Sequence, residues 1–285
     1  RLFGGIYKEI MIHILIPFFN RKQLTLECLS ILYKQTLKDF SITVVDDGSN
    51  DNSSEEIKSL YPQIKIIRGS GNWWWAKSLN EGLKIILPKT KLDDFILILN
   101  NDTEVKPDYL EKIIEGSKTN ERAIVGSLVK NFYDQNLIQD AGRKIDWQRF
   151  TFPQLPTNSP LKVNNEVDEL TTRGILIPVE VFKRIGTFTR LFPHHMADLN
   201  FSIKAKRAGF NLLINYEAVV YSKERTGEKG WPFWTNFFTR RSSSNIGANI
   251  MFIMLNTPTI HLKIKCIAIV LLRFLKAFRV YLFKN

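Results

Sequence analysis

Carboxylates at the ends of apolar runs are the residues of this sequence best placed to do chemistry. Asp46-Asp47-Gly48-Ser49 follows the run Ser41–Val45, and Asn100-Asn101-Asp102-Thr103 follows Phe95–Leu99. A carboxylate in such a place can accept hydrogen bonds from a uracil or thymine imide and from ribose hydroxyls, or hold a hard divalent cation against phosphates. Plain structure uses the same residues: Asp-Asp-Gly makes an Asx turn, and Asn101-Asp102-Thr103 caps a helix that begins at Pro107. Asp198 opens an amphipathic stretch, Leu199–Ala208, that closes at Gly209, and it is either a helix cap or a general base. His194 and His195 precede it by four and three residues and can touch an acceptor hydroxyl or sit in a surface loop. Trp73-Trp74-Trp75 offers rings on which a sugar or base can stack, although three successive side chains cannot all face one way. Lys77 lies close enough in sequence to reach a phosphate there, or it faces solvent.

These residues need a frame, and short apolar bursts alternating with amphipathic stretches supply one. Strands are predicted at Ile12–Ile16, Ser41–Val45, Ile64–Ile67 and Phe95–Leu99, with helices at Lys22–Gln35, Ser54–Leu60 and Trp75–Ile86. Such alternation predicts a parallel sheet covered by helices, which binds ligands beyond the carboxyl ends of its strands. Those ends read Pro17-Phe18-Phe19-Asn20, Asp46-Asp47-Gly48-Ser49, Gly69-Ser70-Gly71-Asn72 and Asn100-Asn101-Asp102-Thr103. The first lacks the G-x-G-x-x-G turn of a dinucleotide site, and no Walker A sequence occurs. From Gly126 to Asp168 the pattern is irregular, with Pro153, Pro156 and Pro160 marking a loop-rich excursion. Thr171–Pro178 then reads as a strand, Val179–Ile185 as a short helix, and Asn211–Ile214 and Ala218–Tyr221 as two closing strands.

Charge divides the chain. The 285 residues carry a formal +12, yet no acidic residue follows Glu228, whereas nine lysines and arginines do. This separates a nearly neutral body, residues 1–228, from a cationic segment, residues 229–285. Long aliphatic and aromatic runs among those cations fit an anionic membrane surface better than nucleic acid. On a helix, Lys265, Arg273, Lys276, Arg279 and Lys284 lie opposite Ile267, Val270, Leu271, Phe274, Phe278 and Leu282. The longest uncharged run within this helix, Cys266–Leu272, is far shorter than the roughly 18–20 residues of a membrane span, so the helix is expected to lie on a surface, pack on the body or pair with a second copy. Residues 1–10 show no secretory pattern, and Cys28 and Cys266 form no disulfide framework; a reducing, cytoplasmic setting at the inner face of a membrane is expected.

Four segments, taken in order, carry a family resemblance. They are Ile14-Leu15-Ile16-Pro17-Phe18-Phe19-Asn20-Arg21, Val44-Val45-Asp46-Asp47-Gly48-Ser49-Asn50-Asp51, Leu99-Asn100-Asn101-Asp102-Thr103-Glu104-Val105, and Asp198-Leu199-Asn200 running on to Ala208-Gly209-Phe210. Residues 11–222 resemble a family 2 glycosyltransferase of the GT-A fold, and Asn72 with Asn80 and Gly82 is similar to its rhamnosyltransferase-like members. The resemblance implies an α/β fold with a Rossmann-like, mostly parallel sheet, to which the charge and periodicity above add a C-terminal helical appendage at the membrane surface. It also implies inverting transfer of a sugar from a UDP- or dTDP-sugar donor to a hydroxyl of a glycan or lipid-linked glycan. Pro17, Asp46, Asp47, Asn72 and Asn101 would then line the donor site, with Asp46 on the nucleobase. Asp102 would hold a divalent metal, Mg or Mn, and Asp198 would be the base. Lys77 is a candidate diphosphate ligand, and Arg240 and Arg241 either cover the diphosphate or a lipid-linked acceptor's phosphate or belong to a membrane-surface anchor. Asn100 stands where the family has its first acidic metal-site residue, and Ser222 where many relatives have a histidine. Two other readings stay open: a sugar-phosphate nucleotidylyltransferase, whose Gly-rich basic loop is missing, and a non-catalytic membrane-bound glycan-binding module.

Overall fold

The computed structural model describes residues 10–118, 123–157, 162–192, 195–224, 232–239 and 242–283. Its first half is built as the alternation predicts. Strands β1 (Ile12–Phe18), β2 (Phe40–Asp46), β3 (Lys65–Arg68) and β4 (Phe95–Ile98) alternate with helices α1 (Lys22–Leu32), α2 (Ser53–Leu60) and α3 (Trp74–Ile86). The four strands are parallel, in the order β3-β2-β1-β4, so their carboxyl ends share one edge. Period-two alternation sorts β1 between two cores: Ile14 and Ile16 pack with Leu29, Leu32 and Ile57, while Leu15 packs with Leu79 and Leu83 of α3. Gly82 lets α3 lie this close, since a Cβ there would come within 2.4 Å of the Leu15 side chain.

Beyond β4 the sheet is mixed. The strands are β5 (Thr103–Val105), β6 (Ile124–Asn131), β7 (Ile138–Asp140), β8 (Val163–Asn164), β9 (Ile175–Pro178) and β10 (Leu212–Ser222), and the path continues β4-β9-β6-β10-β5. β9 runs antiparallel to both β4 and β6, and β10 is parallel to β6. Four expectations are corrected here. Residues 126–131, expected to be irregular, belong to the central strand β6, which is buried along nearly its whole length. Such two-sided burial removes the alternation that would have marked it. The strand expected from Thr171 starts only at Ile175, because Gly174 turns the chain at φ +89°. The two expected closing strands are one, β10, broken only by a register shift between Asn215 and Val219. Asp102 does not cap a helix either: Thr103–Val105 is a strand, and α4 (Tyr109–Lys118) starts later.

Helices α5 (Val179–Ile185) and α6 (Ala197–Arg207) follow β9. The cationic segment forms α7 (Phe233–Phe238), α8 (Ile246–Asn256) and α9 (Ile260–Leu282). Asn245 and Thr259 cap the last two through Ala248 N–H and Leu262 N–H. Rather than standing apart, α8 and α9 share the main core: Phe252 and Ile253, with Cys266 and Val270, join the cluster that holds Phe150, Phe192 and Phe201. Two of the cations expected on a free face are used internally. Lys265 binds Gln148 Oε1 at 2.7 Å, and Arg273 donates to the carbonyls of Arg149 and Phe150 at 3.0 and 3.1 Å.

Candidate active site

The edge formed by the carboxyl ends of β1, β2, β3 and β4 is organised by its own aspartates. Asp46 is fully buried. Its Oδ1 accepts the Ser49 N–H at 2.7 Å, its Oδ2 accepts the Ser54 hydroxyl, and the Arg68 guanidinium stands 3.8 Å away. Asp47 accepts the N–H groups of Gly71 at 3.1 Å, Trp73 at 2.9 Å and Trp74 at 2.9 Å, which folds the tryptophan loop onto the end of β2. Gly48 makes this contact possible: at φ +81°, a Cβ would lie 2.6 Å from Gly71 N. The Asx-turn reading of Asp46 and the loop-building role of Asp47 are therefore both realised. Pro17 is buried where β1 ends, Asn72 is exposed at the loop tip, and the Lys77 ammonium sits 5.2 Å from the centre of the Trp73 ring.

Asp102 lies at the same edge. Its Oδ2 takes the Arg21 guanidinium at 2.8 Å, and Asn101 donates to Thr25 Oγ1 at 2.9 Å. Asn100 Oδ1 and Asp102 Oδ1 are both buried without a hydrogen-bond partner. Two orphaned oxygens, two residues apart at this edge, are of the hard donor type that a Mg or Mn ion takes. Ser222, in place of a histidine, is fully buried, and among the described residues no three His, Cys, Asp or Glu side chains gather into a metal cluster. Arg240 and Arg241 lie outside the described residues, as does His194.

Asp198 lies in a cavity whose lining includes none of Asp46, Asp47 and Asp102. It opens α6 with Oδ1 accepting the Leu199 N–H at 3.0 Å, and it lines a cavity of about 440 Å³ with Arg143, Phe150, Phe152, Glu169 and His195. Ser243, Asn249 and Arg273 close the cavity from the C-terminal segment. Burial raises the Asp198 pKa, against the Leu199 N–H and the Arg143 guanidinium, which lower it. Glu169 is pushed up to about 8, by burial first and the neighbouring Asp198 charge second. Arg143 is held between Asp140 Oδ2 at 2.8 Å and Glu169 Oε1 at 3.7 Å.

A chain of hydrogen bonds ties this cavity to the aspartate edge. Trp75, next to the loop bound by Asp47, donates from Nε1 to Thr172 Oγ1 at 3.1 Å. The Thr172 loop enters β9 beside β4, with the Gly174 N–H on the Ile98 carbonyl, and Leu170 N–H reaches Ser202 Oγ of α6 at 3.2 Å. The sequence analysis missed Asp140, Arg143, Glu169, Phe150 and Phe152. Their one local sign is the three-residue spacing of Asp140 and Arg143; the pairing of Arg143 with Glu169 crosses a loop that periodicity does not describe.

The sequence model of glycosyl transferase family 2 matches residues 13–182, more than half of the chain. This chain belongs to glycosyl transferase family 2. Among curated relatives it is 24% identical to the glycosyltransferase GlyG of Streptococcus pneumoniae over 127 residues, 44% of this chain and 40% of the relative. It is 25% identical to the uncharacterized glycosyltransferase EpsJ of Bacillus subtilis over 163 residues, 56% of this chain and 42% of the relative. The matched stretch thus spans less than half the length of either. Solved structures agree on the fold. GalNAc-T7 with UDP, GalNAc and Mn2+ superposes with a TM-score of 0.63 at 18% identity, covering 78% of this chain and 45% of that one. The mannosyltransferase PcManGT of Pyrobaculum calidifontis, with GDP-Man and Mn2+, does so at 0.60 and 16%, covering 92% and 69%. The family 2 chain thus carries the GT-A fold with α8 and α9 packed on it.

Proposed function

We propose that this family 2 chain is an inverting glycosyltransferase that moves a sugar from a UDP- or dTDP-sugar to a hydroxyl of a glycan or lipid-linked glycan. The observation that carries the reading is the cavity in which Asp198 faces Phe150 and Phe152, tied through Thr172 and Trp75 to the strand edge that carries Asp46, Asp47 and Asp102. A sugar ring can stack on the two phenylalanines while one of its hydroxyls meets Asp198. As the acceptor oxygen bonds to the anomeric carbon, the bond from that carbon to the diphosphate oxygen breaks and its electron pair leaves with the diphosphate. The acceptor proton passes to Asp198, whose burial raises its pKa and with it its affinity for that proton. Attack from the face opposite the leaving group inverts the anomeric centre.

Asn100 Oδ1 and Asp102 Oδ1 would hold a divalent ion, which supplies charge to stabilise the departing diphosphate. Arg21, at the edge of the same site and more than half exposed, can turn from Asp102 to a phosphate oxygen.

The C-terminal helices support attachment to an anionic membrane surface on the cytoplasmic side. Among the described residues no helix is long and apolar enough to cross a membrane. On α9, Ile260, Ile264, Leu271, Leu275 and Leu282 form one exposed stripe, flanked by Lys276 and Arg279. Co-sedimentation with vesicles containing phosphatidylglycerol tests this, and Leu271→Glu with Leu275→Glu is expected to abolish it; unchanged sedimentation removes the membrane from the reading.

The catalytic claim is tested by nucleoside diphosphate release from a panel of UDP- and dTDP-sugars, dTDP-rhamnose included. Asp198→Asn is expected to lower the rate about 10²–10⁴-fold with the thermal midpoint preserved. Full activity in that variant would remove the base, and a wild type that binds sugars yet releases no diphosphate would favour the binding module.

A further inference from the structure

Glu169 is a buried carboxylate that the mechanism above does not use. Its backbone pairs with Arg143 in both directions, each N–H on the other's carbonyl at 3.1 Å, so the two side chains emerge from one fixed bridge. Arg143 reaches Glu169 Oε1 and Asp140 Oδ2, and the adjoining Leu170 is hydrogen-bonded to Ser202 of α6, the helix that Asp198 opens. Two carboxyl groups from distant parts of the chain therefore face one cavity from a braced frame. They differ in their partners: Asp198 Oδ1 receives the Leu199 N–H, whereas Glu169 Oε2 is buried with none and Oε1 has only the Arg143 guanidinium at 3.7 Å, which sits closer to Asp140 at 2.8 Å.

We propose that Glu169 is the positioning partner of Asp198: at neutral pH Glu169 is protonated, and Asp198 is left ionised to take the proton of the acceptor. This rests on reading Asp198 as the base. The difference in partners decides which group is charged, because a donated N–H favours the ionised form and a bare buried oxygen favours the protonated one. The charged and titratable groups around the pair are Arg143 and Asp140, which face both, with His195 and Arg273 on the cavity wall. Arg143 and Asp140 offset one another, so a neutral Glu169 leaves one net negative charge at the base rather than two. A second would oppose entry of an anionic donor and a departing diphosphate. Glu169 itself neither gains nor loses a proton in the transfer step.

Carboxyl carbon NMR of the full chain, labelled at Glu and Asp and titrated from about pH 4 to about pH 10, tests this without any substrate. Glu169→Gln assigns the signal, and Glu169→Asp does so if the first variant fails to fold. Glu169 is expected to titrate near about 8, and in Asp198→Asn to move down by more than about one unit, because the like charge is gone. A midpoint near the ordinary 4.5, or one that Asp198→Asn leaves in place, overturns the pairing. As a second measurement, donor hydrolysis by wild type is expected to fall above about pH 8, and in Glu169→Gln the profile is expected to lose that fall relative to its own neutral-pH rate. An equal loss at every pH would mark Glu169 as structural only and overturn the proposal. Failure of the base reading is distinguishable, since it shows as undiminished hydrolysis in Asp198→Asn whatever the titration gives.

Discussion

The carboxylates at the ends of β2 and β4 and those around the α6 cavity have opposite electrostatic economies. Asp46, Asp47 and one oxygen of Asp102 are provided with donors from their own chain: Ser49, Ser54, three loop N–H groups and Arg21. Glu169 and Asp198 share one guanidinium and one N–H, and both have raised pKa values. The first region uses negative charge to build a loop, and the second keeps it poorly solvated. Charge that is satisfied contributes to stability; charge held in readiness for a proton costs stability, and that is the signature of a reacting group.

The largest effect that can break this contrast is the pH dependence of stability. An unfolded glutamate ionises near 4.5, whereas folded Glu169 does so at about 8. Between those values the folded state holds a proton that the unfolded chain has lost, so stability falls as pH rises through the window and levels off above it. Glu169→Gln removes the titrating group. Chemical denaturation at a series of pH values is expected to show a downward slope between about pH 5 and about pH 8 that is shallower in the variant, with the curves furthest apart at the alkaline end. Parallel curves would place Glu169 among the satisfied carboxylates and erase the difference between the regions.

Asp47→Ala sharpens the comparison from the other side. It leaves three loop N–H groups without their acceptor, and at about 1–3 kcal/mol for a buried unsatisfied group, moderated by water entering a half-exposed loop, the loss is expected to be about 2–4 kcal/mol. Calorimetry of Asp47→Ala beside Asp198→Asn reads the contrast directly: the first midpoint drops by several degrees, and the second stays level or rises.

Much of the first region was legible because its structure is local. Runs of four to seven apolar residues ending in Asp, Asn or Gly gave β1, β2 and β4 to within two residues, and the Asp-Asp-Gly turn is a matter of neighbours. The second region was visible only at Asp198. β6 is buried on both faces and shows no alternation, and Asn215 to Val219 looks like a gap although the strand continues through it. Glu169 meets Arg143 across a segment whose prolines say only that it is a loop, and Arg273 reaches the cavity from a helix whose cations read as a free face. Where contacts join residues far apart in sequence, spacing and periodicity carry no record of them.

The smallest expected effect concerns the one carboxylate that belongs to both regimes. Asp102 Oδ2 is paired with Arg21, but Oδ1 is buried without a partner, as is Asn100 Oδ1. The Arg21 side chain is 56% exposed, so its pairing with Asp102 is screened by water, and Arg21→Gln is expected to change stability by less than about 1 kcal/mol. Its consequence lies in binding. With no donor sugar present, the guanidinium is a positive charge 2.8 Å from the carboxylate that a divalent cation would need, and two cations cannot both take the full benefit of one carboxylate. Mn2+ titration followed by electron paramagnetic resonance is therefore expected to show tighter binding to Arg21→Gln than to wild type. Weaker binding in the variant would mean that Arg21 orients Asp102 for the ion rather than competing with it, and would move Asp102 into the class of carboxylates whose partners are structural.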